Sequence, residues 1–280
     1  MSTTQDKVRA KYSRDPSREE ARSKWSRAAG MEFRHTKLLL EPYITPETSV
    51  VEFGCATGHY AGHWHDKCKS YLGVDIAQAN VDFFNAKGLS NAEGQRTAHA
   101  QVGDATHCPE FPDGSFDVVL CLGPMYHLPA EERPLAMAEM ARICKPGGVL
   151  AFAYINKAGV LMWAMTSRVM RNKLPWRKRL RRYNAYYPNR KGNESIFAGV
   201  NDIDNPFFFT MPEEMEPLAR QCGLRVLQNA GVDITMNTDQ INHMDDEQYA
   251  CWLEFAEAML QWPSVTGMAN HALMICGKND

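Results

Sequence analysis

Hydrophobic residues form short runs, separated by longer segments in which they recur at helical spacing. The runs occupy positions 50–53, 71–76 and 116–122, each of which contains one acidic residue, and 149–155, which is apolar throughout. Runs of this length are typical of strands that are buried on both faces of a parallel sheet. The segments with helical spacing occupy positions 61–69, 80–87 and 131–144. Strands that alternate with helices in this way predict an α/β fold.

The chain ahead of the first strand has a different pattern. Residues 17–40 are predicted to form one or two helices that end before Pro42. Ser17 and Glu20 have the spacing of a capping box at the start of this segment. The polar residues 1–16 are expected to be mobile or loosely docked.

The C-terminal part resumes the strand and helix pattern. A helix capped by Thr210, with Pro212 near its start, is expected to lead to a strand that begins near Gly223. A helix over 246–261 and a final strand over 271–276 follow.

The segment between these two patterned regions is too long for an ordinary connection. Eight Lys and Arg residues lie between positions 168 and 182, and Trp163, Trp176, Tyr183, Tyr186 and Tyr187 lie among or beside them. We interpret 157–205 as an inserted basic and aromatic cap, 42–156 and 206–280 as the two parts of the core, and 1–41 as an N-terminal helical lid. A solvated helix face is the commonest meaning of such a basic run, and a surface for an anionic substrate, RNA or lipid headgroups is the alternative.

A glycine-containing turn after the first strand predicts a ligand site. The strand stops at Gly54, and Gly58 follows before a helix-forming stretch, as in nucleotide sites of α/β domains. A dinucleotide fingerprint is excluded because Ala56 and His59 stand where two of its glycines belong. The phosphate-binding loop is excluded because no Lys-Ser or Lys-Thr pair follows the turn. The carboxylate of Glu52 disfavours a pyrophosphate and suits an ammonium or sulfonium.

Five sequence blocks, in order, resemble the class I S-adenosylmethionine-dependent methyltransferases. The blocks are Glu52-Phe-Gly-Cys-Ala-Thr-Gly58, Tyr71-Leu-Gly-Val-Asp75-Ile, Val102-Gly-Asp104-Ala-Thr, Phe116-Asp-Val-Val-Leu-Cys-Leu122 and Cys144-Lys-Pro-Gly-Gly148. Ala56 departs from the central glycine of the first block, and the match loosens after Phe207. The resemblance implies a Rossmann-like three-layer α/β sandwich on a seven-stranded, mostly parallel sheet with an antiparallel last strand. It also implies S-adenosyl-L-methionine as cofactor.

The same blocks supply candidate cofactor-binding residues. Asp75, which lies 17 residues after Gly58, has the spacing of an acid that accepts hydrogen bonds from ribose hydroxyls. Asp104 would accept from the exocyclic amine of adenine, and Ala105 would donate its backbone N–H to a ring nitrogen. The structural alternative is that both carboxylates only cap helices. The complete set of candidates is Glu52, Gly54, Cys55, Ala56, Gly58, Asp75, Ile76, Asp104, Ala105 and Leu122.

The segment 122–128 is expected to face the transferable methyl group, because ligands of open α/β sheets bind beyond the carboxyl ends of the strands. His127 is the candidate catalytic base, since the usual imidazole pKa of about 6.5 suits proton removal near neutrality. Tyr126 is the candidate for orienting the acceptor or the cofactor's carboxylate. The alternative is that both only line the pocket. Oxygen, nitrogen, sulfur and carbon acceptors all remain open.

Composition sets the context of this site. The 280 residues are 44% hydrophobic with a net charge of −2, so no overall basic character recruits nucleic acid. The eight scattered cysteines contain no C-x-x-C pair, which predicts buried reduced thiols. With a polar N-terminus and no apolar run of bilayer length, a cytoplasmic protein is predicted. His59 and His63 have a metal-compatible spacing without a third ligand, so no metal is predicted.

Three functions are compatible with these residues. A methyltransferase acting on a small molecule, anionic or aromatic, is favoured. An RNA or tRNA methyltransferase that grips its substrate with the basic insertion is the second. A non-catalytic cofactor-binding protein on the same fold is the third. The oligomeric state is not indicated by any of these patterns.

Overall fold

The computed structural model describes residues 4–166, 207–233 and 238–279, and within them a single seven-stranded sheet carries helices on both faces. The strands lie in the order β3-β2-β1-β4-β5-β7-β6. They are β1 (Ser49–Phe53), β2 (Ser70–Asp75), β3 (Ala98–Val102), β4 (Phe116–Cys121), β5 (Cys144–Ile155), β6 (Leu224–Gly231) and β7 (His271–Lys278). In this sheet β7 runs antiparallel to β5 and β6, and the other pairs are parallel. The predicted mostly parallel α/β sandwich with an antiparallel last strand is confirmed.

The helices of the described residues mostly follow the predicted pattern. They are α1 (Thr4–Tyr12), α2 (Pro16–Ala21), α3 (Arg27–Leu40), α4 (Ala61–Trp64), α5 (Gln78–Ala86), α6 (Arg133–Ile143), α7 (Lys157–Thr166), α8 (Pro212–Gln221), α9 (Thr238–His243), α10 (Asp246–Met259) and α11 (Pro263–Thr266). The helix predicted over 61–69 is only one turn long. Lys69 donates its N–H to the Thr48 carbonyl at 2.9 Å, so the chain has already turned back toward the sheet there.

Two apolar layers sandwich the sheet because successive residues of a strand face opposite sides. Val50 belongs to the core on one face and its neighbour Val51 to the core on the other, and both are fully buried. Met137 and Met140 of α6 are fully buried in the second layer. Leu135 of the same helix is 55% exposed, so α6 turns only one face to the core.

The helices α1, α2 and α3 form what we call the N-terminal lid. Residues 4–16, expected to be mobile or loosely docked, are tied down by side chains. Arg9 Nε donates to the Ile76 carbonyl at 3.3 Å, and the Tyr12 hydroxyl lies 2.8 Å from His127 Nε2. The predicted capping box of Ser17 and Glu20 is wrong, because α2 begins at Pro16.

Glu20 has a tertiary role in place of that local one. Its Oε2 accepts hydrogen bonds from the Thr57 hydroxyl at 2.8 Å and from Lys87 Nζ at 2.7 Å. This carboxylate therefore fixes the N-terminal lid to the glycine-containing turn after β1 and to the end of α5.

Most of the predicted insertion lies outside the described residues, including the whole basic cluster at 168–182. Its first part is α7, which follows β5 directly. Among the helices that the structure describes, none combines the length and the apolar character needed to cross a bilayer. Six of the eight cysteines are buried, Cys222 is half-buried and Cys251 is exposed.

Candidate active site

A cavity of about 820 Å³ opens at the carboxyl ends of β1, β2 and β4, beneath the N-terminal lid. All of the candidate residues predicted from the sequence line it, except Gly58. The structure therefore brings together positions from 52 to 127 at the edge of the sheet where ligands of open α/β folds bind.

Gly54 and Gly58 each require glycine, but for different structural reasons. Gly54 has a φ of +73°, and a Cβ there would lie 2.7 Å from Pro124 Cδ, so the turns after β1 and β4 touch at this point. Gly58 has a φ of +79°, and a Cβ there would lie 2.3 Å from the Phe84 ring. Gly58 thus packs the turn against α5 and does not line the cavity. Both positions need a residue without a side chain.

Ala56 occupies the left-handed region with a φ of 46°, and among the described residues it is the one non-glycine residue with positive φ. For a residue with a Cβ this conformation costs about 1–2 kcal/mol. Its backbone N–H donates to Asp75 Oδ2 at 2.9 Å, which holds the turn in this form.

Asp75 shapes the turn and lines the cavity at once. Its Oδ1 accepts from the Ala77 N–H at 2.9 Å and from Asn80 Nδ2 at 3.2 Å. Burial raises the pKa of this carboxyl group, and the hydrogen bonds from Ala77 and Ala56 oppose that rise. A carboxylate has about four lone-pair sites. The structural role of Asp75 therefore leaves room for a ligand hydroxyl.

Glu52 lies at the end of β1 with only 1% of its surface exposed. Burial raises the pKa of its carboxyl group to about 7, although the Tyr71 hydroxyl donates to it at 2.6 Å. A buried carboxyl with this pKa becomes fully charged when a cation lies beside it.

Asp104 completes what we call the acidic wall of the cavity, which is formed by Glu52, Asp75 and Asp104. Its Oδ1 accepts from the Thr106 N–H and hydroxyl, both at 2.8 Å, in a turn that no helix follows before β4, so Asp104 does not cap a helix as its structural alternative expected. The acidic wall, at the ends of β1 to β3, fits a ligand that has hydroxyls and a positive charge and lacks phosphate.

His127 and Tyr126 lie on the other side of the glycine-containing turn. The segment Pro124–Tyr126 is a 3₁₀ turn fixed by the buried Arg133, whose Nε donates to the Met125 carbonyl at 3.1 Å. The His127 ring packs against Phe207 at 4.8 Å between ring centroids. The Tyr126 hydroxyl donates to the Leu122 carbonyl at 3.4 Å, and burial raises its pKa.

Tyr12, the hydrogen-bond partner of His127, was not predicted as a site residue. Burial raises its pKa well above the ordinary value, with Tyr126 and Glu19 adding to the shift, so the phenol is neutral. A lone tyrosine in a polar segment carries no pattern that would have marked it.

A buried charged cluster at the far end of the cavity also escaped prediction. His271 Nδ1 lies 2.6 Å from Asp233 Oδ2 and 3.8 Å from Glu32 Oε2, and Glu32 Oε2 lies 3.3 Å from Arg22 Nη1. Burial alone would lower the pKa of His271, but Glu32 and Asp233 raise it to about 9. The imidazole is therefore protonated at neutral pH.

His59 and His63 have separate environments. The His59 ring packs edge-on to Phe33 at 4.2 Å, and burial together with Lys37 lowers its pKa to about 4. His63 Nε2 lies 3.2 Å from Glu41 on the surface. Within the described part of the chain, no three His, Cys, Asp or Glu side chains form a group that could hold a metal ion.

Comparison with known proteins agrees with this geometry. Residues 51–152 match a family model described as a methyltransferase domain. A malonyl-[acyl-carrier protein] O-methyltransferase from Serratia marcescens is 27% identical over 108 residues, which cover 39% of this chain and 38% of that protein. A probable methyltransferase, ltbC, from Aspergillus luteorubrus is 31% identical over 125 residues, which cover 40% of this chain and 41% of that protein. The chain thus spans about two fifths of the length of these curated relatives.

The fold has solved counterparts. An S-adenosylmethionine-dependent methyltransferase from Mesorhizobium loti superposes with a TM-score of 0.57 at 14% identity, covering 89% of this chain and 98% of that chain. At this identity the likeness concerns the fold.

Proposed function

We propose that this chain, which carries a class I, Rossmann-like S-adenosylmethionine-dependent methyltransferase domain, transfers the cofactor's methyl group to a small-molecule acceptor. The observation that carries the proposal is the position of the acidic wall and of His127 in one cavity, on either side of the Gly54 turn. A cationic adenosyl cofactor and an acceptor would meet at that turn.

The cofactor residues are assigned from the contacts of the acidic wall. Asp75 would accept a hydrogen bond from a ribose hydroxyl with the lone pair of Oδ2 that Ala56, Ala77 and Asn80 leave open. Glu52 would stabilise the positive end of the cofactor. Asp104 and the backbone N–H of Ala105 would hold the adenine. The remaining assigned residues, Gly54, Cys55, Ala56, Ile76 and Leu122, would form the cavity surface, and Gly58 would support the turn from behind.

The chemical step needs little from the protein beyond placement. S-adenosylmethionine, when bound, supplies an electrophilic methyl group, so alignment with the nucleophile lowers the barrier most. His127 would take the acceptor's proton at Nε2 once the acceptor has replaced the Tyr12 hydroxyl as the hydrogen-bond partner of that atom. Tyr126 would orient the acceptor from the adjacent wall.

A small acceptor is favoured over RNA. The cavity volume lies within the range of about 300–1,000 Å³ that is usual for small-molecule sites, and α1 covers it through Tyr12 and Arg9. The basic cluster that would grip RNA lies outside the described residues. The Serratia relative is named for an acyl substrate, malonyl-[acyl-carrier protein], and the acceptor here is proposed as the broader class of small molecules.

Calorimetry tests the cofactor assignment directly. Wild-type protein is expected to bind S-adenosylhomocysteine, and Asp75→Ala is expected to bind it about 10- to 100-fold more weakly because charge-assisted hydrogen bonds are lost. Asp82→Ala, which removes an exposed carboxylate from α5, is the matched control and should bind normally. Absence of binding by the wild type, or full affinity in Asp75→Ala, contradicts the proposal.

Methyl transfer itself separates the acceptor classes. Labelled S-adenosylmethionine is incubated with metabolite pools and with tRNA at increasing salt. Label in small molecules at all salt concentrations supports the proposal. Label in tRNA that falls steeply with ionic strength supports the RNA alternative.

A further inference from the structure

Arg22 is a cation of the cavity wall whose contacts are all long. Its Nη1 and Nη2 lie 3.3 and 3.5 Å from the two carboxylate oxygens of Glu32, and its Nε lies 3.6 Å from Glu19 Oε2. Charge-assisted hydrogen bonds between such groups are usually about 2.7–2.9 Å long. The buried Nε has no hydrogen-bond acceptor among the described residues. These contacts hold Arg22 in place but leave part of the hydrogen-bonding capacity of its guanidinium unused.

The carboxylate that faces Arg22 most closely is shared. Glu32 also interacts with His271, which is protonated at neutral pH and bonded to Asp233. Glu32 and Asp233 together balance the charges of Arg22 and His271, so what Arg22 lacks within the described part of the chain is a hydrogen-bond acceptor at Nε. The guanidinium carbon lies 4.7 Å from the centre of the Phe33 ring, which fixes the plane of the fork.

Arg22 lies at the end of the cavity that is remote from the adenosine side of the acidic wall. Asp104 follows β3 at one edge of the sheet, whereas Arg22 is linked through Glu32 to His271, the first residue of β7. Between these ends lies the turn at Gly54, where the methyl group would be transferred. A group bound by Arg22 would belong to the amino-acid end of the cofactor or to the acceptor.

We propose that Arg22 binds a carboxylate inside this cavity. The proposal rests on the proposed function, because it requires that the cavity takes an adenosyl ligand and an acceptor. A planar carboxylate matches the fork of a guanidinium, and the neighbouring Glu32 and Glu52 disfavour a dianionic phosphate. Glu19, a partly exposed residue of α2, stands where that carboxylate would approach Nε, and the ligand would displace it.

The first experiment isolates a carboxylate of the cofactor. S-adenosylhomocysteine and its decarboxylated analogue, which keeps the amine, are titrated into wild-type protein, Arg22→Gln and Arg22→Lys. If the cofactor supplies the carboxylate, the wild type prefers S-adenosylhomocysteine about 10- to 100-fold. Arg22→Gln loses this preference and keeps its affinity for the analogue. Arg34→Gln, which removes an exposed arginine of α3 that pairs with Glu257 and does not line the cavity, is the matched control and retains the preference.

The second experiment isolates a carboxylate of the acceptor. Malonamate, which carries one carboxylate, and its neutral counterpart malonamide are titrated into protein saturated with S-adenosylhomocysteine. If the acceptor supplies the carboxylate, the wild type binds malonamate at least 10-fold better than malonamide, and Arg22→Gln binds both equally. Arg22→Lys keeps the positive charge beside Glu32, so an intermediate preference in a folded variant distinguishes ligand binding from a folding defect.

The outcomes separate the two proposals. If the wild type binds S-adenosylhomocysteine and neither preference depends on Arg22, this inference is overturned and the proposed function stands. Equal weakening of S-adenosylhomocysteine and its decarboxylated analogue in Arg22→Gln assigns Arg22 a merely structural role and also overturns it. If the wild type binds no adenosyl ligand, both proposals fall.

Discussion

The hydroxyl of Tyr12 lies 2.8 Å from Nε2 of His127, although 115 residues separate them along the chain. Tyr12 ends α1, and His127 follows the 3₁₀ turn after β4. This hydrogen bond therefore joins the N-terminal lid to the part of the cavity where an acceptor would lie. Its neighbour Lys11 reinforces the contact, with Nζ 4.0 Å from the centre of the Phe207 ring.

Tyr12→Phe removes the hydroxyl and keeps the ring. We expect a loss of about 1 kcal/mol in the free energy of unfolding, and faster dissociation of S-adenosylhomocysteine because the N-terminal lid opens more often. Urea denaturation and stopped-flow displacement measure the two effects. Tyr249→Phe removes a hydroxyl that donates to the Arg27 carbonyl, away from the cavity, and should change stability alone. An unchanged dissociation rate in Tyr12→Phe would show that the bond does not hold the lid.

Gly58→Ala adds one methyl group where the structure has no space for it. With a φ of +79° and a Cβ 2.3 Å from the Phe84 ring, the variant should lose about 2–5 kcal/mol of unfolding free energy. Gly62→Ala is the matched control, since a Cβ in that helical position meets no atom within 4 Å. It should gain about 0.5–1 kcal/mol. Equal urea midpoints for the two variants would refute the packing role of Gly58.

Binding of S-adenosylmethionine at pH 7 should release protons from Glu52. The pKa of its buried carboxyl group is about 7, so about half of the molecules are protonated there. A cation beside the group lowers that pKa and drives the proton off. Calorimetry in phosphate buffer and in Tris buffer detects the released protons, because the two buffers take up a proton with different enthalpies and the apparent enthalpy of binding therefore differs. Glu52→Gln, which has no proton to lose, supplies the baseline, and a wild type that matches it would argue against a cation at this position.

The stability of the protein should fall as the pH rises from 7 to 10 because of His271. The pKa of its imidazole is about 9 in the folded protein, against about 6.5 in an unfolded chain. A raised pKa stabilises the fold fully below the unfolded value, and this contribution disappears as the pH rises through the folded value. The expected loss over this window is about 2–3 kcal/mol.

His271→Gln tests the assignment because it cannot titrate. Its unfolding free energy should vary less between pH 7 and 10 than that of the wild type, as measured by urea denaturation. His63→Gln, which removes a partly exposed histidine beside Glu41, should keep the wild-type slope. The same slope in His271→Gln would place the titrating group elsewhere.

The sheet and the acidic wall could be predicted because their information is local. The strands β1, β2, β4 and β5 coincide with short, mostly apolar runs, and Glu52, Asp75 and Asp104 stand at or just after strand ends that the parallel sheet brings to one edge. The same locality explains why the helical spacing over 131–144 predicted α6.

Residues whose roles come from distant partners could not be predicted. Arg22 and His271 belong to one charged cluster through Glu32, yet no spacing in the sequence connects them. Glu20 has the spacing of a capping residue, but Thr57 and Lys87 provide stronger tertiary partners. In both cases the role of the residue depends on partners that are brought close only by the fold, and the local sequence does not indicate them.

Ala56 shows a further limit of prediction from the sequence. As a small residue in place of a glycine it suggests a mild change, but its φ of 46° places it in a region that favours glycine. The N–H bond to Asp75 that stabilises this conformation joins residues 19 positions apart.

The ties of the N-terminal lid have a kinetic consequence. They reach the turn after β1 through Glu20, the end of β2 through Arg9 and the loop after β4 through Tyr12. Under the proposed function, spent cofactor beneath them would leave only after several contacts on separate parts of the sheet had broken. Opening of the lid would then limit turnover, and weakening these contacts would raise the turnover rate more than changing the reacting groups.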